Sequence, residues 1–392
     1  MSALPVVPAP PENGPLQVLR RLDWWLLGAV LLLLGFGSLM ILSASTLHAD
    51  LAFGDPLRFV VRQGLGMSAG AISVATILLV PYKWLRKGAW ALYLATLAGM
   101  VLCLVPGIGH EVLGAWRWIK FGPVNIQPSE FAKIALILVV ASYLAANEGR
   151  LNDILGVGVP AFGIAVPMIA LLMLEPDFGT TVITVSLLGI LLFMAGLHWG
   201  WVVTLGVVGG VVLSLAAVVA PYRLARITSF WDPFQDVQGG GHQVVQGWIA
   251  MASGGWTGQG IASGIAQRGN LPEAHTDFIS AVVGEELGVL GWAILIGLYL
   301  MIVWRGFGIA ARAESLFGSL VASAVSALLA SQALINLGVV VGWMPAKGLV
   351  LPFMSYGASA VVAHLICIGL LLRVSMEGSG GDPLPRPGEV TT

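Results

Sequence analysis

The residues that could do chemistry in this chain are few, and they stand apart from one another. Asp277 closes a long polar stretch at the N-terminal edge of an apolar run. Glu285 and Glu286 lie about two turns further into that run; being adjacent, they point about 100° apart on a helix. Glu130 and Lys133 are spaced i, i+3 at the start of another apolar run, where they can pair on one helix face. Glu175 and Asp177 bracket Pro176 between two further runs. A charge at mid-bilayer costs about 2.5–3.5 kcal/mol on insertion scales, so each of these groups is a functional candidate. Each also has a structural reading. Glu130 and Lys133 can be an ion pair that only fixes helix packing, and Glu175-Pro-Asp177 can be a solvated turn with Asp177 at a helix start.

Asp277 has two readings of the same kind. Pro272 followed by Thr276 reads as the beginning of a helix, with Thr276 as N-cap and Asp277 in the first turn. A carboxylate there is favoured by about 0.3–1 kcal/mol. The same place keeps it ionised at an aqueous boundary, where it can accept a proton from a hydroxyl or hold a divalent cation such as magnesium or manganese. A helix start lowers a carboxylate pKa and weakens the base, so both roles stay open. No GxSxG, CxxC, HExxH or P-loop competes, the six histidines are scattered, and His275-x-Asp277 alone is a weak metal signal.

The elements that must position these groups are membrane helices. The 392 residues are 57% hydrophobic and 10% charged, with a mean hydropathy of +0.89. A soluble chain carries about 25% charged residues. Apolar runs of the length that crosses a bilayer as helix recur throughout, rather than the short alternating segments of a barrel. The expected class is all-α, polytopic, with ten spans at 24–44, 60–81, 88–106, 129–147, 156–175, 178–196, 199–220, 278–304, 317–343 and 352–374. They make one domain over 23–376. Residues 1–22 form a tail, 377–392 a Gly/Pro-rich tail expected to be disordered, and 221–277 a large loop between spans seven and eight. An apolar stretch near Val244–Ala252 in that loop can lie as a short helix in the interface. Cys103 and Cys367 read as small core residues. A net charge of −1 gives nucleic acid no bulk attraction.

Ten spans put both termini on one side together with Arg20, Arg21, Lys83, Arg86, Lys87, Arg305, Arg312 and Arg373, and the positive-inside rule makes that side cytoplasmic. The outward side carries Arg58, Arg62, Arg117, Lys120, Arg223, Arg226, Arg268 and Lys347, with Lys133 about one turn into the fourth span. Long loops are exempt from the charge rule, which accounts for part of this set. A cationic outward cavity for an anionic substrate such as a diphosphate accounts for all of it.

Taken together, the motifs resemble the SEDS family of FtsW, RodA and related sporulation proteins. They are Arg117-Trp-Ile, Gln127-Pro-Ser-Glu-Phe131, Glu175-Pro-Asp-Phe-Gly-Thr180, Tyr222-Arg223, Leu271-Pro-Glu-Ala-His-Thr-Asp-Phe-Ile279, Gly284-Glu-Glu-Leu-Gly288, and Gly342-Trp-Met-Pro-Ala-Lys-Gly-Leu-Val-Leu-Pro-Phe-Met-Ser-Tyr-Gly357. They span residues 20–375 in family order and look more like FtsW than RodA. Three positions depart from the pattern without removing a matched charge: Ser280, His242, and the pair Ala358 and Ala360.

The resemblance implies a ten-helix fold and an inverting peptidoglycan glycosyltransferase. Such an enzyme polymerises lipid II at the outer face of the bacterial cytoplasmic membrane, with a class B penicillin-binding protein and other divisome or elongasome proteins as partners. It implies that Asp277 is catalytic. Arg117, Trp118, Lys133, Arg223, Lys347, His275 and Ser355 are then expected to bind the diphosphate and sugars, and Glu130, Glu175, Asp177, Glu285 and Glu286 to form a supporting polar network. Division, elongation and sporulation are all open as the process served. Two rival readings use the same residues. One is a lipid II flippase with a polar path past Glu130, Lys133, Glu285 and Glu286. The other is a non-catalytic scaffold for the penicillin-binding protein.

Overall fold

Three helices start at a side-chain cap that the sequence supplies. Asp23 accepts from the Leu26 amide at 3.1 Å, Asp177 from the Thr180 amide at 3.1 Å, and Ser315 from the Gly318 amide at 3.1 Å. Pro128 opens its helix at the first position, where its fixed φ and missing N–H cost nothing. The computed structural model describes residues 22–112, 114–122, 124–219, 230–234, 241–264, 271–345 and 348–377. Each of the ten segments expected to be helical holds a helix, although the last begins at Ala358 rather than at 352 because 352–357 folds as loop: α1 Trp24–Phe53, α2 Arg58–Leu79, α3 Tyr82–Cys103, α4 Pro128–Ala146, α5 Val159–Leu174, α6 Phe178–Met194, α7 Trp199–Val219, α9 Ile279–Arg312, α10 Leu316–Val340 and α11 Ala358–Glu377. An additional helix, α8 His242–Gly254, lies in the long loop. Six are long and apolar enough to cross a membrane by length and composition: α1, α4, α5 with the turn before it, α9, α10 and α11. The apolar helices α6 and Trp199–Val211 of α7 are shorter.

The interior centres on α4 and α10, which pack on each other. Around them α6 and α9 lie on α10, α3 lies on α4, and α2 runs along α11. One end of the bundle is tied by polar contacts. Arg305 grips Asp23 through Nε at 2.9 Å and Nη2 at 2.6 Å, and Arg373 donates to the Val80 carbonyl. At the other end sit the loop residues 271–278 and 348–357.

That second end also carries a feature absent from the sequence reading. Between α3 and α4 lies a three-stranded antiparallel meander of β1 Gly109–Val112, β2 Ala115–Phe121 and β3 Val124–Ile126. Trp118 pairs with His110 and Lys120 with Asn125, with a register shift between His110 and Glu111. The sheet packs on α3 and α4 through β2 and on α11 through β3. Cys103 and Cys367 are free and buried.

One expectation needs correction. Thr276 is not an N-cap, and Asp277 is not in the first helical turn. The helix begins at Ile279 with Phe278 as cap and no side-chain cap bond. The Thr276 hydroxyl instead turns back to Glu273, 2.7 Å from its carboxylate, because Glu273 takes a left-handed conformation, φ 53°, that folds the segment on itself. The apolar stretch of the long loop is helical as expected, with one face against protein. Val244, Val245, Gly247 and Ala250 of α8 are buried, Gly247 faces the Phe278 ring, and Trp248 donates to the Val340 carbonyl at 3.1 Å.

Candidate active site

The backbone around Asp277 is fixed by three successive carbonyls. The His275 carbonyl accepts from the Tyr356 amide at 2.9 Å. The Thr276 carbonyl accepts from the Ser355 hydroxyl at 2.6 Å, and the Asp277 carbonyl from the Asn336 amide group at 2.9 Å. The same Asn336 group donates to the Leu349 carbonyl at 2.7 Å, and the Ser355 hydroxyl accepts from the Leu351 amide at 2.8 Å. Gln63 closes the arrangement from α2, donating to the Ser355 carbonyl at 3.2 Å and accepting from the Gly357 amide at 3.1 Å. Loops 271–278 and 348–357 therefore form one unit held by α2 and α10. Each carries a non-glycine residue in the left-handed region, Glu273 at φ 53° and Phe353 at φ 65°. Such residues cost about 1–3 kcal/mol each and cluster at functional sites.

With its backbone held, Asp277 is half-buried and its side chain turns toward the second loop. A Cβ added to Gly348 would stand 3.2 Å from Asp277 Oδ2, so glycine leaves the carboxylate its room. Lys347 is the residue before Gly348 in the chain. It lies outside the described residues, as does Arg223.

Beside Asp277 the chain builds an aromatic wall. The His275 ring lies 4.6 Å from Phe59, 5.7 Å from Tyr356 and 6.1 Å from His48, and Phe59 meets Tyr356 edge-on at 5.0 Å. Burial pushes the His275 pKa down, opposed by the nearby Glu273 carboxylate, so the ring is neutral at neutral pH. Arg58 and Arg62 stand one turn apart at the start of α2. Arg58 lies over the Phe53 ring at 4.2 Å. Arg62 is half-buried and makes no hydrogen bond or ion pair with a described residue.

The other sequence candidates form separate clusters. Arg117 reaches from β2 to the turn between α5 and α6, donating to the Glu175 and Pro176 carbonyls at 3.1 and 2.5 Å and lying 3.9 Å from Asp177. Asp177 caps α6, and the Thr180 hydroxyl donates to it at 2.9 Å. The Glu175 carboxylate is fully buried, with no hydrogen-bond partner among the described residues. Trp118 is half-buried on β2. Lys133 Nζ lies 2.9 Å from both Glu130 oxygens, and both side chains are buried. The Ser355 hydroxyl, which the sequence offered as a substrate contact, is committed to the two loop bonds above.

Glu285 and Glu286 sit at a break in α9. Gly288 has φ 64° and ψ −158° inside the helix, a conformation open to glycine alone among common residues. The ladder lost there is replaced by the segment after α8. Gln259 and Gly260 amides donate to the Glu285 and Glu286 carbonyls at 2.9 and 3.0 Å, while Val289 and Leu290 amides donate to the Gly255 and Trp256 carbonyls at 3.0 and 3.2 Å. Ser43 of α1 donates to Glu286 Oε1 at 2.5 Å. The two glutamates thus mark the joint at which the loop bearing α8 is fastened to the bundle.

Sequence reasoning missed Asn336, Gln63 and Tyr356 as parts of the site, whereas Arg62 was already among the outward cations. Asn336 and Gln63 had a signal, since each is an uncharged polar residue inside an apolar run. Among the described residues no group of three or more His, Cys, Asp or Glu could hold a metal. The Asp277 carboxylate still fits a magnesium-like cation, which takes one or two carboxylates and completes its shell with water and substrate phosphates.

The FtsW/RodA/SpoVE family model, described as cell cycle protein, matches residues 24–380. A protein of Halothiobacillus neapolitanus named probable peptidoglycan glycosyltransferase FtsW is 43% identical over 368 residues, covering 92% of this chain and 87% of that one. A protein of the same name from Hahella chejuensis is 40% identical, covering 92% of each. A solved structure described as a peptidoglycan synthase complex that coordinates polymerization and crosslinking aligns with a TM-score of 0.75 at 30% identity, over 91% of this chain and 98% of that chain. The Thermus thermophilus rod shape determining protein RodA aligns at 0.68 and 28% identity, over 92% and 98%.

Proposed function

The chain belongs to the FtsW/RodA/SpoVE family, and from that premise we infer that it is a peptidoglycan glycosyltransferase of cell division. It is an integral membrane protein. Its ten long bundle helices all cross the membrane, both termini face the cytoplasm, and the Asp277 end faces outward. The cations Lys83, Arg86, Lys87, Arg305 and Arg373 at the opposite end support this orientation. The substrate is lipid II and the partner a class B penicillin-binding protein.

The observation that carries the mechanism is the fixed loop pair with Asp277 turned into it. The Asp277 carboxylate takes the proton of the acceptor sugar hydroxyl. The acceptor oxygen then forms a bond to the donor anomeric carbon with inversion, and the bond from that carbon to the diphosphate oxygen breaks. Undecaprenyl diphosphate leaves with the electron pair. Arg62, Lys347 and Arg223 offset the diphosphate charge, and the His275, Phe59 and Tyr356 rings offer an apolar face for a sugar. A divalent cation, when bound to Asp277 and the diphosphate, would supply further charge neutralisation. A flippase path needs open polar groups through the full depth of the bilayer, whereas the Glu130–Lys133 pair is closed on itself.

The test is polymerisation of purified lipid II by the purified protein, alone and with its penicillin-binding partner, with magnesium and manganese varied. Glycan ladders are expected in the presence of the partner. Absence of polymer under every condition would refute the assignment.

A further inference from the structure

At the end of the bundle away from Asp277, a groove of about 830 Å³ opens between α3, α4, α10 and α11. Lys83, Arg86 and Lys87 line it from α3 and Arg373 from α11, against a single carboxylate, Glu377. None of these four cations is in an ion pair with a described residue. Trp90, Tyr82 and Phe317 supply its apolar wall, and the Tyr82 and Ser315 hydroxyls meet there at 3.5 Å. A second groove, of about 290 Å³, shares α3, α4 and α11 with the first and has α2 in place of α10; Ile134 and Leu138 of α4, Ile366 and Leu370 of α11, and Ser73 and Thr76 of α2 are among its lining.

On α4 and α11 the two grooves lie along common faces. On α4, Ile134, Leu138 and Ser142 follow at i, i+4 and i+8, and on α11, Ile366, Leu370, Arg373 and Glu377 make one stripe. Over about 12 Å of α4 the lining passes from mainly apolar to basic and aromatic. A solvated basic rim alone would not continue into a hydrocarbon-depth groove on the same faces. We propose that this pair of grooves is a binding site for an anionic phospholipid of the surrounding bilayer. The phosphate sits among Lys83, Arg86, Lys87 and Arg373, the aromatic rings lie at the glycerol level, and an acyl chain runs along Ile134, Leu138, Ile366 and Leu370. The proposal goes beyond glycosyl transfer and needs only that the chain spans a bilayer.

The test uses the full-length protein in detergent, mixed with phosphatidylglycerol or phosphatidylcholine and observed by native mass spectrometry. Wild-type protein is expected to retain phosphatidylglycerol about tenfold or more over phosphatidylcholine. Lys83→Gln/Arg86→Gln/Lys87→Gln is expected to lose that preference. Ser142→Trp, which keeps every cation and sets a large ring on the α4 stripe between Leu138 and the basic groove, is expected to lose retention of both lipids. Equal retention of the two lipids by wild-type protein would overturn the proposal on a molecule whose fold is not in question. Full displacement of phosphatidylglycerol by millimolar inorganic phosphate would overturn it too, by showing a site for free phosphate rather than lipid.

Discussion

At the scale of single residues, the side chains divide into those that face the loop pocket and those that close on themselves. His275 belongs to the first kind. Its buried ring has a pKa below the ordinary histidine value of about 6.5, so the unfolded chain takes up protons first as pH falls. The stabilisation is present above that value and is lost on acidification. The thermal midpoint is expected to fall between pH 7 and 5, and His275→Gln is expected to flatten the acid side of that curve. Glu130 and Lys133 belong to the second kind. Glu130→Ala leaves a buried ammonium unpaired and is expected to cost about 3–5 kcal/mol. Glu130→Leu with Lys133→Met is expected to come close to wild-type stability in denaturant unfolding. If the double variant also retains affinity for lipid II, Lys133 is structural and not a phosphate contact.

At the scale of elements, the site is held by joints rather than by single contacts. Asn336 bridges the Asp277 and Leu349 carbonyls, joining two loops to α10. Asn336→Leu leaves both carbonyls without that donor, and each lost bond costs about 1–3 kcal/mol when the group stays buried. Its kcat in polymerisation is expected to drop at least tenfold with a smaller change in KM, because the carboxylate is no longer positioned. The second joint is Gly288. A Cβ there would stand 2.6 Å from the Gly258 nitrogen and the Trp256 carbonyl carbon, and left-handed backbone adds about 1–2 kcal/mol for an L-residue. Gly288→Ala is expected to free the Trp256–Gly260 segment from α9, seen as a lower thermal midpoint and new proteolytic cleavage after α8.

At the scale of the whole molecule, the apolar runs foretold every long helix, because a membrane span must satisfy its own backbone and so needs a long uniform segment. Boundaries drifted where the solvent changed: α1 runs to Phe53 rather than to 44, carrying His48 into the site. The meander at 109–126 was hidden because its strands are short and mix tryptophans with charges. The break at Gly288 was hidden because Gly-Glu-Glu-Leu-Gly reads as continuous helix, and its stability comes from hydrogen bonds to a segment some thirty residues earlier. Asp277 was legible as a candidate from its place at the end of the long loop. Its fixation by Ser355, Tyr356 and Asn336 was not legible, since those partners are 59 to 81 positions away and meet it only in the fold. Whether Asp277 is the catalytic carboxylate of a lipid II polymerase is decided by the polymerisation rate of Asp277→Asn beside wild type, each with the same penicillin-binding partner. A loss of about 10² to 10⁴ with an unchanged thermal midpoint is the expected result, and polymerisation at the wild-type rate would contradict it.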